Sequence, residues 1–389
     1  MPWILLLLCI VGGVATSEPE VNEAEVFAKG DLSLIVMGDP QYHFMCEVSN
    51  PPCREASRRC REAAARPAPQ RAKSGQGNAP HPTGADCVAL ESRYANRVQR
   101  KAIEAYIRYQ RYEPRALIID GDLTDYGHRP QLDEFKTGWL RSFPIPILPG
   151  LGNHDYQNNV NDCALNVCAR NMLNWFVSYA RTASLPIEFN ATSHTGSLAY
   201  SKSLCDYSGT TNCATIIQLN NAIDYEVEFN AFLIENWKIR SALEFLKAEL
   251  ARLATSKSPI LINVHQNEDA REEKLKQLIG DWIYENRHNG FRPKIGVFFA
   301  HMHARHEVKT HCFHGVSVPF VYVGSVPNNR FTVLKFGKDG SNDTLSGFAA
   351  RESGPLLLDT LPNLWSGPCN RSFVHYFHDA SVRFNPLDG

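Results

Sequence analysis

Apolar runs of single-strand length alternate along this chain with longer stretches whose apolar positions recur every three or four residues. The runs Leu32–Met37, Ala116–Ile119, Ile145–Leu148, Thr215–Leu219, Ile260–Val264, Ile295–Phe299 and Val318–Val323 read as buried strands. Helical periodicity is clearest over Leu90–Arg111, Ile239–Leu253 and Arg271–Arg287. In the second of these, Leu243, Leu246, Leu250 and Leu253 fall on one face. The alternation predicts an α/β domain built on a largely buried sheet.

One segment breaks the rhythm. Between Cys53 and Cys87 stand seven basic residues (Arg54, Arg58, Arg59, Arg61, Arg66, Arg71, Lys73) against three acidic ones (Glu55, Glu62, Asp86), in a background of Ala, Pro, Gly and Ser without apolar periodicity. It reads as a solvated surface insertion stapled by cysteines, in preference to a basic lip that attracts anions. No internal repeat is evident.

With 389 residues, 43% of them hydrophobic and 21% charged, the chain is long enough for a sizeable core. Its formal net charge of −1 gives no electrostatic reason to expect a nucleic acid or a membrane surface as partner. The N-terminus, MPWILLLLCIVGGVATS, has a short apolar region from Trp3 to Val11 and small residues at Ala15 and Ser17. That is the pattern of a cleaved signal peptide; the run is short for a membrane span and lacks basic flanks. No later segment reads as a transmembrane anchor.

Setting aside Cys9, ten cysteines remain: Cys46, Cys53, Cys60, Cys87, Cys163, Cys168, Cys205, Cys213, Cys312 and Cys369. An even number, without C-x-x-C spacing, fits disulfides better than a zinc site. Cys205–Cys213 is the first expected local bridge and Cys163–Cys168 the second, with the full connectivity open. Acceptor sequons at Asn190, Asn342 and Asn370 agree with a secreted protein or one in the lumen of the secretory or lysosomal pathway. The expected organisation is a signal peptide over 1–17, a lead-in over 18–30, one domain over 31–349 with the basic Cys-rich insertion at about 46–87, and an extension over 350–389.

The chemistry gathers where the strands end. Leu34-Ile35-Val36-Met37 is followed by Gly38-Asp39-Pro40-Gln41. The next two strands lead to Asp120, Asp122 and Asp125, and to Asn153, His154 and Asp155. The last two end on His265 and on His301 and His303. Taken singly, an Asp at a strand end is a cap or turn residue and a His there is a hydrogen-bonded core residue. Five in series, at the strand ends where ligands collect in open α/β sheets, point to a metal site. Asp, Asn and imidazole suit Fe, Zn or Mn.

These blocks, Gly38-Asp39-Pro40-Gln41, Gly121-Asp122-Leu123-Thr124-Asp125, Gly152-Asn153-His154-Asp155, Asn263-Val264-His265 and His301-Met302-His303, resemble in order the five blocks of the calcineurin-like metallophosphoesterase superfamily. The resemblance covers residues 38–303. It implies a four-layer α/β/β/α sandwich, here with the disulfide-stapled insertion, and two divalent or trivalent metal ions. Asp122 would bridge them. Asp39 and His303 would serve the first metal with Gln41 beside them, and Asn153, His265 and His301 the second. His154 would stand at the leaving-group oxygen, oriented by Asp125. In such a site two cations clamp a phosphate and lower the pKa of a bound water, which then attacks phosphorus.

This chain departs from the family pattern at four positions. Gln41 stands where the family usually has His, so that the chain resembles a secreted member of the branch with Gly-Asp-Pro-Gln in the first block, and Ala300 stands where the family usually has Gly. Tyr126 replaces the Arg of the protein phosphatase branch, and Asp125 the Tyr of the purple acid phosphatase branch. His43, two residues beyond Gln41, is the less favoured substitute ligand. The expected function is hydrolysis of a phosphoester substrate, monoester or diester undecided. The alternatives are a lipid or nucleotide phosphodiesterase of the same fold, or a binding protein that kept the fold. Retention of His154 with Asp125 argues against a pure binder.

Overall fold

The structure, a computed structural model, describes residues 32–44, 58–62, 65, 84–110, 113–207, 212–290, 292–337, 343–365, 369 and 373–377. The expected signal peptide and lead-in, Cys46, Cys53, most of the 46–87 insertion, and the sequons at Asn342 and Asn370 lie outside the described residues.

The strands in chain order are β1 (Leu32–Met37), β2 (Leu117–Ile119), β3 (Ile147–Pro149), β4 (Phe189–Asn190), β5 (Thr195–Gly196), β6 (Tyr200–Cys205), β7 (Cys213–Gln218), β8 (Val227–Ala231) and β9 (Glu235–Ile239). They continue with β10 (Ile260–Asn263), β11 (Ile295–Phe299), β12 (His306–Phe313), β13 (Val316–Val323), β14 (Arg330–Phe336), β15 (Thr344–Arg351), β16 (Gly354–Pro362) and β17 (Phe373–Tyr376). The first sheet runs β16-β15-β14-β1-β2-β3, and the second β17-β12-β13-β11-β10-β7-β6. A small third sheet, β4-β5-β9-β8, flanks them. Each large sheet has a parallel run: β1 with β2 and β2 with β3 at one end of the first, and β7 with β10, β10 with β11 and β11 with β13 in the middle of the second. That arrangement sends five motif-bearing strand ends in common directions.

Side-chain alternation makes the layers. Leu261, Phe298, Val321 and Val323 join the core shared with the first sheet. Their neighbours Ile260, Ile262, Val297, Phe299, Phe320 and Tyr322 point the other way, into a second core. Helices α4 (Leu243–Arg252) and α5 (Asp269–Asn286) cover that outer face with Leu246, Leu250, Leu275 and Ile279. The Trp282 indole N–H donates to the Leu250 carbonyl at 2.8 Å and ties the two helices together. On the first sheet, α1 (Gly84–Tyr109) packs against β15 and β16, and α2 (Arg129–Gly138) and α3 (Val167–Thr182) add Phe135, Met172 and Phe176 to the first core. Sheets of both senses with helices outside them give the α/β sandwich the motifs implied.

The helix expected to start at Ile239 starts at Leu243 instead. Ile239 is the last residue of β9, and the Ser241 hydroxyl accepts the Leu243 N–H at 3.2 Å to open the helix. Both expected local bridges are present, Cys163–Cys168 and Cys205–Cys213, together with Cys60–Cys87 and Cys312–Cys369. Asn190 is exposed, and no helix among the described residues is long and apolar enough to cross a membrane. Beyond residue 349, β16 and β17 add an outer strand to each large sheet.

Candidate metal centre

The two large sheets come together at Gly38. A Cβ there would lie 2.2 Å from the Cβ of Ala300, so the missing side chain lets the loops after β1 and β11 face each other. This also explains how Ala300 stands where the family has Gly: its methyl takes the space a residue-38 side chain would need. The loop after β1 is then sewn to the loop after β2, with the Asp39 N–H donating to the Gly121 carbonyl (3.1 Å) and the Gln41 N–H to the Asp122 carbonyl (2.7 Å). From α1, the Asn96 amide donates to the Pro40 carbonyl at 2.7 Å, and the Trp139 indole N–H fixes Asn96 in turn at 2.7 Å.

Asp39, Gln41, Asp122 and His301 all have positive φ, at 54°, 31°, 50° and 58°. Side chains with a Cβ rarely hold this conformation, and its concentration here marks a place where neighbours impose the backbone.

Seven expected ligands, Asp39, Gln41, Asp122, Asn153, His265, His301 and His303, come from both sheets. Ligand atoms of Asp122, His265 and His301 lie within 4.8 Å of one another, as do those of Asp39, Asp122 and His303. Asp122 belongs to both groups. His265 Nε2 is 3.0 Å from Asp122 Oδ2 and 3.1 Å from Asn153 Oδ1, while His303 Nε2 is 3.5 Å from Asp39 Oδ1. Gln41 is buried beside them. The Tyr42 and Thr124 backbones bridge just beyond.

The donor set fits cations. Asp39 is fully buried, yet neither carboxylate oxygen has a hydrogen-bond donor, and both amide atoms of buried Gln41 are likewise unpaired. An ionised carboxylate in that state is expensive unless a positive charge faces it. His265 Nδ1 donates to the Asp120 carbonyl at 2.8 Å, so Nε2, facing only oxygen acceptors, holds either a second proton or a cation. Burial alone would raise the Asp122 carboxyl, but His265 and His154 together hold it below the usual range. Burial, reinforced by the charge of His265, pushes His301 down to about 4, leaving it neutral with a lone pair to offer.

His154 and Asp125 stand at the edge. The His154 N–H donates to Asp122 Oδ1 at 2.9 Å from the single π-helical turn Asn153–Gln157. Its Nδ1 faces the Asp125 carbonyl (2.8 Å) and carboxylate (3.2 Å), which leaves Nε2 for a substrate. Burial opposes the charged ring, but Asp125 and Asp122 together lift it to about 9. His43 turns elsewhere, with Nε2 3.2 Å from Glu134 Oε1, so it does not stand in for the imidazole that Gln41 replaces.

Three contributors were not legible beforehand. Asp155 accepts from the Leu123, Thr124 and Gly152 N–H groups and the Thr124 hydroxyl at 2.9–3.1 Å, and so fastens the second block to the third. Its sequence signal was only that it closes the Asn153-His154 block. Phe44 lies edge-on 4.8 Å from the His303 ring and 6.2 Å from that of His154, and Tyr126 is 5.9 Å from His154. Phe44, a lone aromatic in a loop, carries no sequence signal, and Tyr126 stands out only as a departure from the Arg of the protein phosphatase branch. A separate group, His128, Asp162, Cys163 and Cys168, also has ligand atoms close together, but its two sulfurs are joined in a disulfide.

The sequence profile of calcineurin-like phosphoesterases matches residues 35–305. No curated protein sequence matches the chain significantly. Among solved structures, a purple acid phosphatase from yellow lupin (Lupinus luteus) seeds is 12% identical, with a TM-score of 0.45 over 86% of this chain and 54% of that one. A 5'-nucleotidase precursor from Thermus thermophilus is 12% identical, with a TM-score of 0.41 over 89% and 54%. A calcineurin-like phosphoesterase from Bacillus subtilis is 10% identical, with a TM-score of 0.37 over 92% and 93%. The chain thus spans about half the length of the first two. The profile match takes in all five strand-end blocks and most of the chain, so the protein belongs to the calcineurin-like phosphoesterase family, hydrolases of phosphoric esters that work with divalent metal ions.

Proposed function

We propose that the chain is a secreted phosphoesterase acting through a two-metal site. The observation that carries this reading is Asp122, whose carboxylate belongs to both ligand groups and is buried between them. In this account Asp39, His303 and Gln41 hold one ion, and Asn153, His265 and His301 the other. Fe, Zn and Mn suit such oxygen and nitrogen donors. Ions held there supply Lewis acidity to the phosphoryl oxygens and lower the pKa of water.

The chain's own residues do the rest. Strained loops fix the carboxylates at the sheet edge before substrate arrives. His154 Nε2 gives its proton to the departing alkoxide oxygen, and Asp125 orients the ring and supports its charge. Phe44 and Tyr126 stand beside that histidine and favour esters whose leaving group has an apolar or aromatic body. This keeps lipid and nucleotide diesters open beside aryl monoesters. The apolar N-terminus, the disulfides and the exposed sequon at Asn190 support the secretory route.

The test is a panel of phosphomonoesters and phosphodiesters assayed with wild type and Asp122→Asn. Wild type turns over at least one class, and Asp122→Asn abolishes it while keeping the native circular dichroism spectrum. Undiminished hydrolysis by the variant removes Asp122 from the mechanism.

A further inference from the structure

The small third sheet ends in an apolar tip. Phe232, Leu233 and Ile234, the turn between β8 and β9, are 42%, 81% and 87% exposed, and Leu165 beside them is 49% exposed. Phe232, Leu233 and Leu165 have φ of 50°, 65° and 56°, a conformation that bulky side chains rarely adopt. The two loops are fastened together. The Phe232 N–H donates to the Leu165 carbonyl (3.3 Å), the Asn166 amide to the Asn230 carbonyl (2.9 Å), and the Cys163–Cys168 bridge closes the loop that carries Leu165. Arg170 lies 4.9 Å over the Phe232 ring and pairs with Glu235 through two 2.6 Å hydrogen bonds. Neighbouring structure therefore holds strained backbone in place, and the result is four large apolar side chains in water.

We infer that this tip is a wedge that inserts into a lipid surface. Leu233 and Ile234 stand out at a hairpin turn, 81% and 87% exposed, so the tip asks for a medium that closes around it rather than for a matching pocket. Its exposed apolar surface is on the order of 400 Å², well below the roughly 800 Å² per partner of a standard stable interface, which disfavours a second copy of the chain. The nearby charges are internally paired, Arg170 with Glu235 and Lys238 with Glu228 at 2.8 Å, so the tip offers no net charge to an anionic partner. The medium that suits it is uncharged hydrocarbon beneath zwitterionic headgroups. None of these residues belongs to the candidate metal centre, so the inference stands apart from the phosphoesterase reading.

The experiment is co-sedimentation with phosphatidylcholine vesicles at low and high salt, with and without phosphatidylserine. Wild type binds phosphatidylcholine alone and equally at both salt concentrations. The double variant Leu233→Asp, Ile234→Asp weakens the partition by roughly a hundredfold, from the burial of two large aliphatic side chains. It retains its circular dichroism and its hydrolysis of a soluble substrate. An Ile234→Trp probe, which does not depend on the charged variant folding, is quenched by brominated phosphatidylcholine. Wild type that stays in the supernatant overturns the inference, as does equal binding by the double variant. So does attachment that needs phosphatidylserine and dissolves in salt, or a wild-type dimer that the variant lacks.

Discussion

His154 directs Nδ1 at one residue twice, to the carbonyl oxygen of Asp125 at 2.8 Å and to its carboxylate at 3.2 Å. In the proposed mechanism Nε2 is therefore the proton donor, and Asp125, which orients the ring, acts with Asp122 to favour its charged form. His154→Ala lowers turnover by about two to four orders of magnitude, the range for a positioned acid. Asp125→Asn lowers it less. Metal content stays constant in both, and the loss is larger for esters with poor leaving groups than for nitrophenyl esters. Steady-state kinetics across a leaving-group series checks this; equal loss throughout contradicts the acid role.

The five strand ends were legible because each joins two signals, an apolar run and a metal-capable side chain directly after it. The ligand groups followed from those signals and the family pattern. What the sequence hid depends on contacts between distant segments. Asp155 works by collecting four donors, which no local pattern announces. The strands after residue 305 were mostly unread: β12 (HEVKTHCF) mixes charged and apolar residues, and β16 is half exposed, so neither shows clean alternation until its partner is known. The first core also hides Ala300, whose methyl is tolerated only because residue 38 is glycine.

Gln41 is buried with both amide atoms unpaired, at the position where the first block usually carries His. A neutral amide oxygen is a harder and weaker ligand, so the Asp39–His303 ion exchanges faster than the other and tolerates Mn or Mg better. Gln41→His slows that exchange and reduces the response of activity to added divalent ions, while Asp39→Asn empties the site. Metal retention through dialysis measures this. Equal retention of both ions by wild type counts against Gln41 as the weak ligand.

His306 is buried, donates Nε2–H to the Thr332 hydroxyl at 3.0 Å, and has an unpaired Nδ1, so it is neutral in the fold. Burial, aided by the charge of Arg330, pushes it down to about 3. The unfolded chain binds that proton near pH 6.5 and the folded chain near 3, so stability falls as pH drops through this window. His306→Gln keeps a donor to Thr332 and removes the titration. Denaturant unfolding at pH 4–6 shows the variant's stability flatter than wild type's by up to about 1.4 kcal/mol per pH unit. Parallel slopes contradict a neutral buried His306.

The two-metal reading of Asp122 is tested most directly by counting metal ions per chain in purified wild type and in single variants. Elemental analysis by mass spectrometry gives about two transition-metal ions per wild-type chain. Asp39→Asn and His265→Ala each lose one, and Asp122→Ala loses both. Wild type that binds no ions and still hydrolyses phosphoesters at full rate, or Asp122→Ala that keeps both ions, contradicts the account.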